Sequence, residues 1–552
     1  MRSTRPGGQN SAPQAGEHHS AEAHAEQPFA RTLIQRVGLV LGPVGLLIIV
    51  LLPVSCGFID HASKALSLPP AHADVVELAH GAQATLGILA IMVIWWLTEA
   101  VPIPITALLP GLLLPLLHVT GLRDGRMVAF NAKASFAAYA SPIIYLFLAG
   151  FLLAGAMRKT GLDRRITLGI LSWAPVMRGP GTILLVVMAI AAGLSMWISN
   201  TATTALMLPV ALMILQQLGQ TPDEKSGKKP AFGIVMMLGI AWAASIGGLG
   251  TIIGSPPNGI VVGILHDQGI AEVNFLQWME MGVPIAVLGI FAAWGLLMLQ
   301  YRPKIGDTSA GLQAMRRARS KLGAFSIDEI ATLVVFLLAA VLWITHPFWR
   351  DILPAAVFGR VERFGISEIG LLCAVLLFIC PIDRADWRAV LDWRDAKYVD
   401  WGTLILFGGG IALSDGMLRT GLTDWFATSF VGVVGHPGPW FSLSMLVLLI
   451  AFLTEVTSNT AVTSMMTPVL IGLAPRLGLP PLTLCLACAM ATSLAFMLPT
   501  ATPPNALVYA SGYFRIGQMA RAGLLMDLIG RVILVAGLYF IAGTLLGVIP
   551  LH

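Results

Sequence analysis

The chain has 552 residues, 56% of them hydrophobic and only 11% charged, with a mean hydropathy of +0.79. A soluble domain carries about 25% charged residues; at less than half that density a water-facing surface would be left largely apolar, which excludes a cytosolic enzyme, a secreted disulfide scaffold and a nucleic-acid binder. The net charge of +5, from 34 Lys and Arg against 29 Asp and Glu, belongs to the loops of a polytopic membrane protein.

Residues 1–30 are polar, His-rich and punctuated by Gly and Pro. That composition predicts a disordered tail, and without an apolar core and small-residue cleavage site it is not expected to act as a signal peptide. Apolar runs then follow at about 38–55, 84–98, 102–118, 141–158, 181–217, 232–267, 282–300, 328–346, 364–381, 403–420, 438–474, 481–512 and 523–549. The runs at 181–217 and 438–474 are too long for one crossing and too short for two. Each is interrupted near its middle, by Ser199 to Thr204 (SNTATT) and Ser458 to Thr463 (SNTAVT), with Pro209 and Pro468 at the same distance beyond. A re-entrant helical hairpin with the polar triplet at its tip accommodates this pattern, because irregular backbone at membrane depth persists only where protein or a cavity surrounds it.

These two stretches belong to an internal duplication. LFLAGFLLAGAMRKTGL (Leu146 to Leu162) aligns with LFGGGIALSDGMLRTGL (Leu406 to Leu422), SNTATT with SNTAVT, and GSPPN (Gly254 to Asn258) with ATPPN (Ala501 to Asn505), in the same order. Five spans, near 141, 232, 282, 328 and 364, separate the starts of the copies, and an odd number inverts the second. Arg158, Lys159, Arg164, Arg165, Lys225, Lys228, Lys229, Arg302, Lys304, Arg316, Arg317, Arg319 and Lys321 then share one side, the cytoplasmic one by the positive-inside rule. The expected fold is all-α and polytopic: about eleven transmembrane helices plus two re-entrant hairpins in an inverted repeat, with broken helices at the midplane. The N-terminus is then cytoplasmic and the C-terminus extracytoplasmic. The expected division is 31–140, N-terminal scaffold helices; 141–300, first repeat; 301–402, amphipathic linker and scaffold helices; and 403–552, second repeat.

Paired prolines inside an apolar run remove backbone donors and break the helix. Freed carbonyls, with Ser, Thr and Asn oxygens, are hard neutral ligands suited to sodium, while the new helix N-termini attract an anion. Inverted repeats with such breaks mark secondary transporters. Neither SNT tip nor either Pro-Pro-Asn break holds a charged residue, so bound sodium is expected to supply the counter-charge for an anionic substrate. Glu455, three residues before the second SNT, is a candidate for bracing the hairpin or for coupling. Glu99 reads as an exposed or capping residue in a turn, and Asp415 as a helix-terminal one. Arg316 to Lys321 reads as a solvated or membrane-surface helix. Cys485 and Cys488, with Cys56, Cys373 and Cys380, read as packing residues rather than metal ligands. No metalloprotease or hydrolase motif occurs in the apolar region, so no catalytic residue is expected.

WWLTEAVPIPITALLP, SMWISNTATTALMLP, SIGGLGTIIGSPPN, FLTEVTSNTAVTSMMTP and AFMLPTATPPNALVYASG resemble the signatures of the divalent anion/sodium symporter family, from about residue 31 to the C-terminus. The resemblance implies a homodimer in membrane lipid whose protomers carry a scaffold and a transport domain that moves elevator-fashion. It implies a first sodium site at Ser195, Ser199, Asn200 and Gly254 and a second at Thr454, Thr457, Asn459 and Ala501, with several contacts from backbone carbonyls. Substrate carboxylates would meet Asn200, Thr201, Ser255, Asn459, Thr460 and Pro503. The implied activity, placed in a bacterial inner membrane, is sodium-coupled symport of four-carbon dicarboxylates such as succinate, malate or fumarate. The alternatives within the family are sodium-independent exchange and sodium-coupled citrate or sulfate transport, and outside it an ion channel.

Overall fold

In the computed structural model, which describes residues 31–222, 229–383, 386–435 and 438–542, helices occupy the apolar runs and end at proline, glycine or polar caps. The tail expected over 1–30 lies outside the described residues. Nine described helices are long and apolar enough to cross a membrane, where eleven crossings are expected. The difference arises where a run is divided. Residues 102–118 form Ile103–Thr106 and Leu109–Leu116, and 481–512 form Pro481–Ala491 and Pro503–Ala510, whereas 232–267, divided into Ala231–Gly247 and Pro256–Asp267, still supplies a span over Ala231–Gly250. The run at 364–381 gives the 14-residue helix Ile366–Ile379. Conversely, Pro439–Val456, expected as a hairpin arm, is itself of spanning length. The sequence reading places no strand, yet Thr120–Arg123 pairs antiparallel with Arg126–Ala129. Asp124 and Gly125 at φ +52° and +72° make its two-residue turn, the Asp-Gly signal of a hairpin.

Lipid tails are as apolar as leucine, so close approach of small residues rather than the hydrophobic effect holds spanning helices together. The helices Phe275–Tyr301 and Ile516–Gly537, one from each copy, pack against each other. A Cβ on Gly282 would lie 2.2 Å from the Leu249 carbonyl oxygen, and one on Gly523 would lie 2.2 Å from that of Phe496. These matched contacts bring each helix onto the broken segment of its own copy and fix the register between them. The helices of 31–140 form a separate core that closes on Leu406, Leu413 and Met417 of the helix Trp401–Arg419.

Helices Pro142–Thr160 and Trp401–Arg419 end in the same way. Gly161 and Gly421 take φ +77° and +75°, and short helices, Leu162–Leu171 and Leu422–Val434, leave at once in a new direction. The first of these is anchored by Arg165. Its guanidinium donates to Glu329 at 2.6 Å and to the carbonyls of Leu322, Gly323 and Ala324, so a largely buried charge has both an ionic partner and hydrogen bonds. Nearby, Lys159 donates to Asp395 at 2.6 Å. Burial, the largest single influence, would raise the Asp395 carboxyl, but Lys159, the Asp392 N–H and Lys397 together outweigh it and hold the group below the ordinary carboxylate range.

Two measurements check this packing. Gly282→Ala and Gly523→Ala should each cost about 1–3 kcal/mol and lower the thermal midpoint in detergent. Gly295→Ala, whose Cβ meets nothing within 4 Å, should cost far less. Because the folded-state Asp395 value is depressed, the Lys159 tie is complete at neutral pH and is lost as pH falls through that value, below about 4. Limited proteolysis around 393–398 should therefore accelerate on acidification, and Asp395→Asn should be fast at every pH.

Candidate functional site

Each hairpin turns at its polar triplet. The first has arms Pro180–Ser195 and Asn200–Gln217, with Ser199 capping the second arm by accepting from Ala202 N at 3.3 Å. The second has arms Pro439–Val456 and Asn459–Leu473. In both, a hydroxyl that ends one arm reaches the amide that opens the next, five residues on. Ser195 Oγ donates to Asn200 Oδ1 at 2.6 Å, and Thr454 Oγ1 donates to Asn459 Oδ1. Thr204 and Thr463 then donate to the Asn200 and Asn459 carbonyls at 2.9 and 2.8 Å.

The breaks fall between Gly247 and Pro256 and between Ala491 and Pro503. In each, the residue before the first proline, Ser255 or Thr502, is extended, as the proline ring demands. Proline at the first helical position forfeits no intrahelical bond. What satisfies the freed carbonyls is the asparagine of each Pro-Pro-Asn. Asn258 Nδ2 donates to the Gly248 and Thr251 carbonyls at 2.9 and 2.8 Å; Asn505 Nδ2 donates to those of Ala495 and Leu498, both at 3.0 Å. Both side chains are fully buried. These braces were not among the expected site residues, although their place in the duplicated motif was the available signal.

Around the first tip the Asn200 amide oxygen faces Ser195 Oγ, the Ala244 carbonyl at 3.1 Å and the Gly254 carbonyl at 3.3 Å. Gly248 makes room for it, since a Cβ there would come within 2.7 Å of that oxygen. The amide is satisfied when it is turned over, its nitrogen then donating to Ser195 Oγ and to the Ala244 and Gly254 carbonyls. Around the second tip, Thr454 Oγ1 lies 3.2 Å from the Thr492 carbonyl as well as against Asn459. Ser195, Asn200 and Gly254 are thus brought together, and so are Thr454 and Asn459. Ser199 is engaged in its cap, and Ala501 has only main chain to offer. The Thr457 hydroxyl points away, donating to the Trp96 carbonyl at 3.4 Å. Of the residues expected to meet substrate, Thr201 and Pro503 are exposed, Asn200, Asn459 and Thr460 half-buried, and Ser255 buried.

The copies interlock. The arm Asn200–Gln217 packs on Pro503–Ala510, and the arm Asn459–Leu473 packs on Pro256–Asp267, so each hairpin lies against the broken helix of the other copy. Neutral oxygens for a small cation and helix N-termini for an anion are therefore supplied side by side. Glu99 is exposed and closes its helix at φ +48°. Asp415 accepts from Arg419 at 3.1 Å in the last turn of its helix. Glu455 is buried and accepts from the Met497 and Leu498 N–H groups at 2.9 and 3.1 Å, a brace between the second hairpin and the second break. Asp527 and Arg531, buried near Glu455, are also outside the expected set; an Asp and Arg four apart in an apolar run were the signal.

Two interlocked copies with broken helices define a multi-pass membrane transporter of the secondary type. The chain belongs to the family described as the sodium:sulfate symporter transmembrane region, which matches residues 68–548. It is 36% identical over 458 residues, 82% of this chain and 85% of the relative, to the sodium-dependent dicarboxylate transporter SdcS of Staphylococcus saprophyticus. It is 34% identical over the same shares to the SdcS of Staphylococcus aureus strain MRSA252. These relatives are transporters, not enzymes. Among solved structures, MtrF of Neisseria gonorrhoeae, described with a class of antimetabolite efflux pumps, aligns with a TM-score of 0.50 at 12% identity. It covers 82% of this chain and 94% of its own, a likeness of fold alone.

If the asparagine braces hold the breaks, Asn258→Ala should speed amide hydrogen exchange in 248–255 and Asn505→Ala in 495–502, each leaving the other break protected. Two lost buried hydrogen bonds correspond to about 1–3 kcal/mol each, enough to raise local exchange tenfold or more.

Proposed function

We propose that the chain is a sodium-coupled symporter of four-carbon dicarboxylates such as succinate, malate and fumarate. The observation that carries this is the convergence, at a charge-free hairpin tip, of the Asn200 side-chain amide, Ser195 Oγ and the Ala244 and Gly254 carbonyls, matched in the other copy by Thr454, Asn459 and the Thr492 carbonyl. Neutral hydroxyl, amide and carbonyl groups of this kind are hard oxygen ligands of the sort a small cation takes. Sodium here would be held by Ser195, Ser199, Asn200 and Gly254, and at the second tip by Thr454, Thr457, Asn459 and Ala501. Thr457 would contribute its carbonyl, because its hydroxyl is engaged with Trp96. The sodium dependence and dicarboxylate substrate carried in the names of relatives at 36% and 34% identity support the same reading.

In this mechanism sodium binds first and orders the tips. The substrate carboxylates then meet Asn200, Thr201 and Ser255 from one copy and Asn459, Thr460 and Pro503 from the other, with helix N-termini directed at them. Without a fixed cation in the tips or breaks, the anion depends on sodium for counter-charge, and this dependence is the coupling. The hairpins and broken helices would travel as a transport domain, elevator-fashion, against a scaffold of 31–140 and 301–402, in a homodimer of a bacterial inner membrane with the N-terminus cytoplasmic. Net positive charge crossing with the substrate would add about 2.3 kcal/mol per charge per 100 mV.

Proteoliposome uptake of labelled succinate should require a sodium gradient, saturate, and be competed by malate and fumarate. Uptake that is equal without sodium would replace symport by exchange, competition by citrate or sulfate alone would move the substrate class, and non-saturable flux would indicate a channel. Asn200→Ala and Asn459→Ala should each abolish the sodium-dependent component; unchanged sodium affinity in both would refute the sites.

A further inference from the structure

Between the helices Leu162–Leu171 and Ser309–Ser320 lies a cavity of about 650 Å³, lined by Arg165, Ser172, Trp173, Arg316, Arg319 and Phe325. Ser309–Ser320 packs on Leu162–Leu171 and on the hairpin arm Asn200–Gln217, buries Gly311 and Met315, and leaves Arg316, Arg317 and Arg319 exposed. The cavity thus joins the first hairpin's surroundings to the face that the basic loops share.

Its three arginines are not alike. Arg165 is already occupied, by Glu329 and three carbonyls. Arg319 donates from Nη1 to Ser172 Oγ at 3.1 Å, and Arg316 from Nε to the Ser172 carbonyl at 3.5 Å. A guanidinium carries five N–H donors in a planar fork, and among the described residues these are the hydrogen bonds that Arg316 and Arg319 make. Asp328 and Glu329, the acidic residues that open the next helix, are taken by Arg388 and Arg165. Cations favour a helix C-terminus, which accounts for one bond from each arginine to the end of Leu162–Leu171. It does not account for two guanidiniums drawn onto one serine without a counter-charge.

The depth of the cavity selects the anion. Beyond Phe325, Ser326 caps Ile327–Thr345, whose apolar run is of spanning length and whose Ile327, Ile330 and Val334 are exposed, so the cavity lies where the hydrocarbon begins. Trp173 and Phe325 line it while 66% and 53% exposed, and exposed aromatic rings at this level belong beside lipid headgroups. A free anion has no use for them. A lipid, with phosphate above and acyl chains below, meets both sets of groups. Guanidinium forks grip phosphate oxygens in pairs, and basic pockets at this level of a membrane protein take acidic headgroups; the ammonium of a zwitterionic headgroup is repelled.

We infer that this cavity binds an anionic glycerophospholipid, its phosphate between Arg316 and Arg319 and its glycerol and upper chains against Trp173 and Phe325. The headgroup fastens the end of Leu162–Leu171 and the helix Ser309–Ser320 to the bilayer surface beside the first hairpin. The site stands independently of the symport reading.

The test uses the full chain in detergent micelles, with bound lipid counted by native mass spectrometry during titration with phosphatidylglycerol or phosphatidylcholine. Phosphatidylglycerol should bind about tenfold tighter, and Arg316→Gln with Arg319→Gln should remove that advantage while leaving phosphatidylcholine unchanged. Arg317→Gln with Lys321→Gln takes the same charge from residues outside the cavity lining and should change binding far less. Equal losses in the two pairs would mean diffuse surface attraction, and displacement of the lipid by inorganic phosphate would mean a free-anion site; either overturns the inference, as does equal affinity for the two lipids. Should the Arg316 and Arg319 pair fail to fold, a photoactivatable phosphatidylglycerol on the wild type decides: crosslinks within 172–173 or 309–325 are expected, and crosslinks only elsewhere refute the site.

Discussion

Everything at the centre of this molecule depends on how buried carbonyls at two helix breaks are satisfied. Within the hydrocarbon region an unpaired peptide group costs several kcal/mol, and at each double proline one helix stops and another starts, leaving the carbonyls between them without intrahelical donors. Asn258 and Asn505 answer this by bridging two carbonyls each, ten and seven residues upstream. Each break is thus held by one neutral side chain, with no charged group needed at the turn.

The interlocking of the copies follows from the same constraint. A hairpin at membrane depth needs protein around it, and the second arm of each hairpin packs on the other copy's short helix. Symmetry in the backbone then coexists with asymmetry in chemistry. The tie between hairpin and break is a neutral hydroxyl-to-carbonyl bond in one copy and a carboxylate accepting two amides in the other. Buried Asp527 and Arg531 lie near the charged version, so the two copies differ in charge at matched places.

Much of this was legible in the residues. SNT at matched positions gave the turns of both hairpins, and Pro-Pro-Asn gave both breaks, because proline and glycine act locally and leave a mark in any sequence. Glu455 could be singled out but its role could not, since Met497 and Leu498 lie some forty residues away and offer only main-chain donors. The cluster with Asp527 was hidden for the same reason: helices joined only by packing leave no periodic trace. The strand pair at Thr120–Ala129 was missed although Asp124-Gly125 announces it, because the apolar runs on either side drew the reading toward helices. The eleven expected crossings and the nine helices of spanning length differ where short pieces such as Leu109–Leu116 follow a break.

The left-handed glycines at 161 and 421 bear on reach. A helix advances about 1.5 Å per residue, so the ten residues of Leu162–Leu171 and the thirteen of Leu422–Val434 are rods of about 15 and 20 Å, each pivoting on a single glycine. If Pro142–Thr160 and Trp401–Arg419 stay put while the hairpins travel, those rods are the tethers, and their length caps the stroke. Arg165, bound to Glu329 and three carbonyls, clamps the shorter tether close to its pivot, and Trp425, its ring 4.7 Å from that of Phe58, holds the longer one against the helices of 31–140.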